Sequence, residues 1–91
     1  MIIINENVRV GKLAKLHGCN CIGNDGNSNG VPEIGEGLDM GFGSTVLGNI
    51  SLGNNIVIGA GAIVIDSFDD NKTVAGVPAR IIGWLYDWQS Y

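Results

Sequence analysis

Residues 46 to 64, VLGNISLGNNIVIGAGAIV, place an aliphatic side chain at Val46, Leu52, Ile58 and Val64, with small or turn-forming residues crowded between them. A period of six fits neither a helix face, which repeats near 3.6 residues, nor a half-buried strand, which alternates every 2. It predicts short strands broken by tight corners. The frame extends through Ile4, Val10, Leu16, Ile22, Ile34 and Met40, and between Ile4 and Val64 only the Ser28 slot is not aliphatic. With roughly a third of the chain being Ile, Leu, Val or Met, such a run arises by chance about once in 10^5 trials per frame.

The other positions of the hexad agree. Three residues after each anchor stand Asn7, Leu13, Cys19, Asp25, Gly37, Gly43, Asn49, Asn55, Gly61 and Ser67. Most of these types tolerate a left-handed backbone at little cost, which marks the corner. One residue after the anchor, Gly11, Gly23, Gly35, Gly41, Gly53 and Gly59 recur, where a side chain would crowd the next turn of the chain. A unit of this kind cannot bury its apolar residue alone and must stack on copies of itself.

Ninety-one residues make one small domain, near the lower limit for an independent core. No run of 18 apolar residues exists, so a membrane span is not expected. The N-terminal MIII has no basic region before it and no cleavage site after it, so no signal peptide is read and the expected location is the cytoplasm. A formal net charge of −4, with no cluster of Lys or Arg, argues against a nucleic-acid partner. Cys19 and Cys21 are expected on one short strand as reduced thiols, too close in sequence to cross-link comfortably. With one histidine in the chain they make a poor metal set, so no metal is expected. Asn49-Ile50-Ser51 and Asn71-Lys72-Thr73 match the glycosylation pattern by coincidence. Neither GFGSTV nor GAGAIV completes a dinucleotide fingerprint, because the third glycine and the flanking helix are missing.

The expected organisation is a hexad domain over residues 1–69, interrupted by a polar loop at 24–33 (NDGNSNGVPE) that leaves the frame unshifted and projects from the surface. A second segment, 70–91, holds TVAGVPARIIGW and a terminal WLYDWQSY. The latter is expected to form a short helical cap with Trp84, Trp88 and Tyr91 on one face.

Hexads followed by AGVPARIIG resemble the left-handed parallel β-helix acyltransferases, and the serine acetyltransferase branch in particular, over essentially residues 2–83. The left-handed coil is an exception to the usual right-handed crossover and follows from the resemblance. It implies an all-β prism of about three coils with three hexads each. It also implies a homotrimer with acetyl-CoA lying between neighbouring subunits, and transfer of an acetyl group to a hydroxyl acceptor. L-serine is the first candidate for that acceptor and a sugar of a surface polysaccharide the alternative. A non-catalytic trimeric scaffold is a further reading. A carbonic anhydrase of the same fold is disfavoured, because it needs three zinc histidines.

Acyl transfer needs a held thioester, a base for the hydroxyl proton and a donor to the oxyanion. The family's donor groove is lined by backbone amides and small corner residues. By resemblance the matching positions are Gly41, Phe42 and Gly43 in MGFGS and Ala60 with Gly61 in IGAGA, while Arg80 in GVPAR matches a residue near the CoA phosphates. Phe42 stands where the family usually has Ala, and Trp84 where a Lys commonly follows. The family's catalytic histidine lies in a coil before the segment that Ile2 to Asn5 resembles, and its second histidine precedes the loop proline, where this chain has Val31 before Pro32. The resemblance therefore implies the C-terminal, donor-binding part of such an enzyme, as a truncated product or a piece of a longer one. His17, in KLHGCNCIG, is the one histidine and the candidate base. The alternative for it is a hydrogen-bonded corner residue.

Overall fold

The computed structural model describes residues 1–26 and 30–84. Strands β1 (Ile2–Ile4), β2 (Arg9–Val10) and β3 (Lys15–Leu16) form the first coil; β4 (Asn20–Gly23), β5 (Glu33–Ile34) and β6 (Asp39–Met40) the second; β7 (Thr45–Leu47), β8 (Ser51–Leu52) and β9 (Val57–Ile58) the third. A partial fourth coil consists of β10 (Ile63–Val64), a single bridge from Phe68 to Leu52, and β11 (Lys72–Ala75). Strand β12 (Arg80–Trp84) then folds back antiparallel on β11.

Each coil contributes one strand to each wall of a three-sided prism. The first wall is β1-β4-β7-β10, the second β2-β5-β8, and the third β3-β6-β9-β11 with β12 at its edge. Within the coils all pairings are parallel, and their registers put anchor beside anchor: Ile4 beside Ile22, Ile22 beside Val46, and Val46 beside Val64. The hexad period is thus the length of one wall plus one corner, and it fills the prism because every sixth side chain points inward.

Ile22, Ile34, Met40, Val46, Leu52, Ile58 and Val64 are all buried. Burying side chains of this size stabilises by roughly 1.5–3 kcal/mol each. The anchors of the first coil are not enclosed: Ile4 is exposed, and Val10 and Leu16 only pack against the core from its edge. They lie at the end of the stack, where no coil among the described residues covers them.

A second inward column stands two residues before each anchor, since alternate residues of a strand share a face. Leu38, Ile56 and Ala62 fill it with apolar groups, whereas Asn20 and Ser44 bring buried polar ones. The left-handed corners fall at Leu13, Cys19, Gly37, Gly43, Asn55 and Gly61, all with φ between 51° and 77°. In one corner the left-handed residue is Gly48 (φ 101°), one position ahead of Asn49.

Most of the post-anchor glycines meet the next coil. A Cβ on Gly35 would lie 2.9 Å from the Gly53 carbonyl carbon, and one on Gly11 2.7 Å from the Glu36 amide nitrogen. Gly23 departs from that expectation: its nearest neighbour would be Asn5 Cβ at 3.8 Å, because the chain leaves the stack there for the loop.

The expectation that Cys19 and Cys21 share a strand is corrected. Cys19 turns the corner with φ 51°, and only Cys21 lies in β4; both are free thiols. The expected cap at WLYDWQSY lies outside the described residues beyond the backbone of Trp84, as does the tip of the polar loop.

Candidate functional site

The corner between the third and first walls carries most of the sequence-predicted site residues in vertical register. The Gly43 amide donates to the Gly18 carbonyl at 2.9 Å, and the Gly61 amide donates to the Phe42 carbonyl at 2.9 Å. Gly41, Phe42 and Gly43 therefore lie one coil above Gly18, and Ala60 and Gly61 one coil above them, spaced by about 4.8 Å per rung. The edge is poor in side chains by necessity: a Cβ on Gly41 would come 2.6 Å from the Ala60 amide nitrogen. Phe42 is the exception. Its ring is exposed and lies beside Gly18, 3.3 Å from where a Cβ would stand, so it folds down along the edge toward the first coil.

Asn20 and Ser44 hold this edge from inside. Asn20 is buried; its Oδ1 accepts from the Gly18 amide at 3.0 Å, and its Nδ2 donates to the carbonyls of Gly41 (2.9 Å) and Ser44 (3.2 Å). The Ser44 hydroxyl donates to the Gly41 carbonyl at 2.8 Å. One polar network thus ties the lowest two rungs of the edge together. Sequence reasoning missed both residues, since neither belongs to the anchor or the glycine column.

Arg80 is carried to the upper end of the same region by the return of β12. It pairs with Ala75, whose Cβ lies 3.0 Å from where one on Gly59 would stand, and the neighbouring Ala79 amide donates to Ile63, just past the Gly61 corner. The guanidinium is mostly exposed, 3.7 Å from the Asp66 carboxylate.

His17 follows β3, directly before Gly18. Its amide donates to the Met40 carbonyl at 3.1 Å. The register of β3 on β6 sets Lys15 beside Asp39 and Leu16 beside Met40, so His17 comes level with Gly41. From there the imidazole reaches back diagonally over the outer face, and Nε2 meets Asp39 Oδ1 at 2.7 Å. Asp39 was not singled out from the sequence. The signal was available in the hexad frame, because the second coil returns with its frame intact after the loop and brings residues 22 apart together. Beyond Asp39, the third wall has a shallow depression of about 390 Å³ lined by Leu13, Lys15, Gly37, Asp39, Asn55 and Val57. It does not coincide with the glycine edge; the His17–Asp39 pair stands between the two.

No family model matches the chain. Individual proteins do. The serine acetyltransferase of Escherichia coli (strain K12) is 45% identical over 64 residues, 68% of this chain and 23% of that enzyme. A putative colanic acid biosynthesis acetyltransferase of the same organism is 42% identical over 81 residues, 88% of this chain and 50% of that protein. Among solved structures, serine acetyltransferase from Brucella abortus strain S19 superposes with a TM-score of 0.83 at 40% identity, covering 90% of this chain and 34% of that one.

In sequence and in structure the chain is similar to acetyltransferases of the hexapeptide-repeat type over most of its length. The left-handed, all-β, parallel coil that the resemblance implied is the one these structures share. A Brucella abortus serine acetyltransferase in complex with coenzyme A matches with a TM-score of 0.69 at 36% identity, covering 91% of this chain and 37% of that chain. The chain spans between about a quarter and a half of the length of these two curated relatives.

Proposed function

We propose that this chain is the donor-binding, C-terminal part of a CoA-dependent O-acetyltransferase of the serine acetyltransferase type, moving acetyl from acetyl-CoA to a hydroxyl, with L-serine as acceptor. The observation that carries the reading is the stacked edge of Gly41, Gly43, Ala60 and Gly61, a wall that admits a narrow pantetheine arm along its backbone. Arg80 supplies a fixed positive charge at its upper end for CoA phosphates. Phe42 narrows the lower end and presents a ring for stacking.

The reading includes a cytoplasmic homotrimer with the donor held between subunits. Exposed Val77, Ile81 and Ile82, close to the upper end of the edge, support an assembly that covers them.

The colanic acid enzyme favours a second acceptor class, a polysaccharide hydroxyl, because its match spans more of this chain than that of the Escherichia coli serine enzyme. Thiol release from acetyl-CoA, measured in parallel with L-serine and with a panel of hexoses, separates the two. Acceleration by L-serine over hydrolysis supports the first reading, and acceleration by sugars alone selects the second. No acceleration by either, with CoA bound, leaves the non-catalytic scaffold.

A further inference from the structure

We propose that the depression on the third wall is a binding site for a free α-amino acid with an aliphatic side chain, held as its zwitterion between Lys15 and Asp39. The depression lies off the glycine edge, so its occupancy is independent of the acyl-transfer reading. Two columns of residues line it. On the outer face of the wall, Lys15, Asp39 and Val57 stand one above another on β3, β6 and β9. At the corner beside them stand Leu13, Gly37 and Asn55, all left-handed. The space they border, about 390 Å³, is within the usual range for small-ligand sites.

Leu13 is the residue that the fold alone does not explain. A left-handed backbone disfavours leucine, and most of this residue is exposed, so the fold offers it little burial in return. It forms the lip of the depression, where an apolar ligand group would cover it. The charges suit a molecule that carries both signs. Lys15 and Asp39 are neighbours across the ladder, yet they do not pair: Asp39 Oδ1 meets His17 Nε2 at 2.7 Å, and the Lys15 ammonium makes no hydrogen bond or ion pair among the described residues. The Asp39 side chain keeps 36% of its surface exposed, which leaves its carboxylate open to a second donor. Asn55 adds an acceptor. Its Nδ2 donates to Asn71 Oδ1 at 3.3 Å, and its own Oδ1 leans over Gly37, in the place that a Cβ there would need.

Adjacent rungs are spaced by about 4.8 Å, so Lys15 and Asp39 offer opposite charges at a separation that the two charged ends of an α-amino acid can bridge. The ammonium is held by Asp39 and Asn55, the carboxylate by Lys15, and the aliphatic chain lies against Leu13 and Val57. A simple carboxylic acid would bring a second anion beside Asp39, and a simple amine a second cation beside Lys15. Each loses one attraction and gains one repulsion. Exposed ion pairs are weak, so the expected Kd is on the order of 1–10 mM.

Titration of L-leucine into isotope-labelled protein, followed in amide proton–nitrogen spectra, tests the site residue by residue. Saturable shifts are expected at the amides of Leu13, Lys15, Gly37, Asn55 and Val57, with those of Gly43 and Gly61 unmoved. Isocaproate, which lacks the amine, isoamylamine, which lacks the carboxylate, and L-serine, which lacks the aliphatic chain, are each expected to bind about fivefold more weakly or worse. Lys15→Gln changes only an exposed side chain and is expected to weaken L-leucine by about fivefold, with the spectrum of the free protein otherwise kept. Leu13→Asn is expected to weaken it likewise while the fold gains stability. No saturation within the solubility of L-leucine, or shifts centred elsewhere, overturns the proposal. So does equal affinity for isocaproate, isoamylamine or L-serine, or undiminished binding in Lys15→Gln. CoA binding and turnover have no part in these readouts, so failure of the acyl-transfer reading leaves them unchanged.

Discussion

The Nδ2 of buried Asn20 donates to the carbonyl of Gly41 across 2.9 Å, so a side chain of the second coil's first wall supports the glycine edge from within the prism. Replacing Asn20 with Ala orphans the Gly18 amide and part of the acceptor set of Gly41 and Ser44. A buried polar group without a partner costs about 1–3 kcal/mol, and the expected loss is about 2–3 kcal/mol in urea unfolding. Because Ser44 shares the network, the Asn20→Ala and Ser44→Ala effects are expected to be non-additive by more than about 0.5 kcal/mol.

Two glycines of the same hexad column should respond oppositely to alanine. A Cβ on Gly35 meets the Gly53 backbone at 2.9 Å, whereas one on Gly23 meets nothing closer than 3.8 Å. Gly35→Ala is expected to destabilise by about 1–3 kcal/mol through overpacking. Gly23→Ala is expected to be neutral or to stabilise by up to about 1 kcal/mol, because it restricts the unfolded chain. Equal losses in the two variants would contradict the stacking described.

Leu13 turns its corner at φ 65° and the residue is 75% exposed, so it carries left-handed strain with little burial in return. Asn adopts this conformation more readily. Leu13→Asn is expected to raise stability by roughly 1 kcal/mol, read as a higher denaturation midpoint with an unchanged denaturant slope.

Asp69 lies 3.1 Å from the Lys72 ammonium, whose hydrogen bond, and then its charge, hold the carboxylate below the usual range. A carboxylate with a lowered folded-state pKa stabilises the fold above its unfolded value, near 3.9, and loses that contribution as pH falls through the lower folded value. Asp69→Asn is therefore expected to be slightly less stable than wild type at pH 6, with the gap closing as pH falls below that folded value. Added salt is expected to shrink the gap at pH 6. A gap independent of pH would contradict the pairing.

The hexad anchors were legible because one residue class recurs at one spacing, and burial of Ile22 through Val64 follows from that alone. The second inward column was not, because it mixes Leu38 and Ile56 with Asn20 and Ser44. A polar residue satisfied by its neighbours leaves no trace in hydropathy. Exposure of Ile4 escaped notice because periodicity does not mark where a stack ends. Cys19 was read as strand although its hexad position is a corner, where the backbone requirement prevailed over strand propensity. Of the candidate site, the donor edge was legible by likeness, and His17 by being the one histidine. Asp39 needed the register across the loop, which the sequence implied only if the loop left the frame unshifted.

The central claim is that the glycine edge holds CoA, and calorimetric titration of CoA into the purified protein tests it most directly. The expected result is a saturable isotherm with about one site per chain, weakened severalfold in Arg80→Ala as a charge-assisted phosphate contact is lost. No heat at any CoA concentration, with the protein folded and assembled, would contradict it.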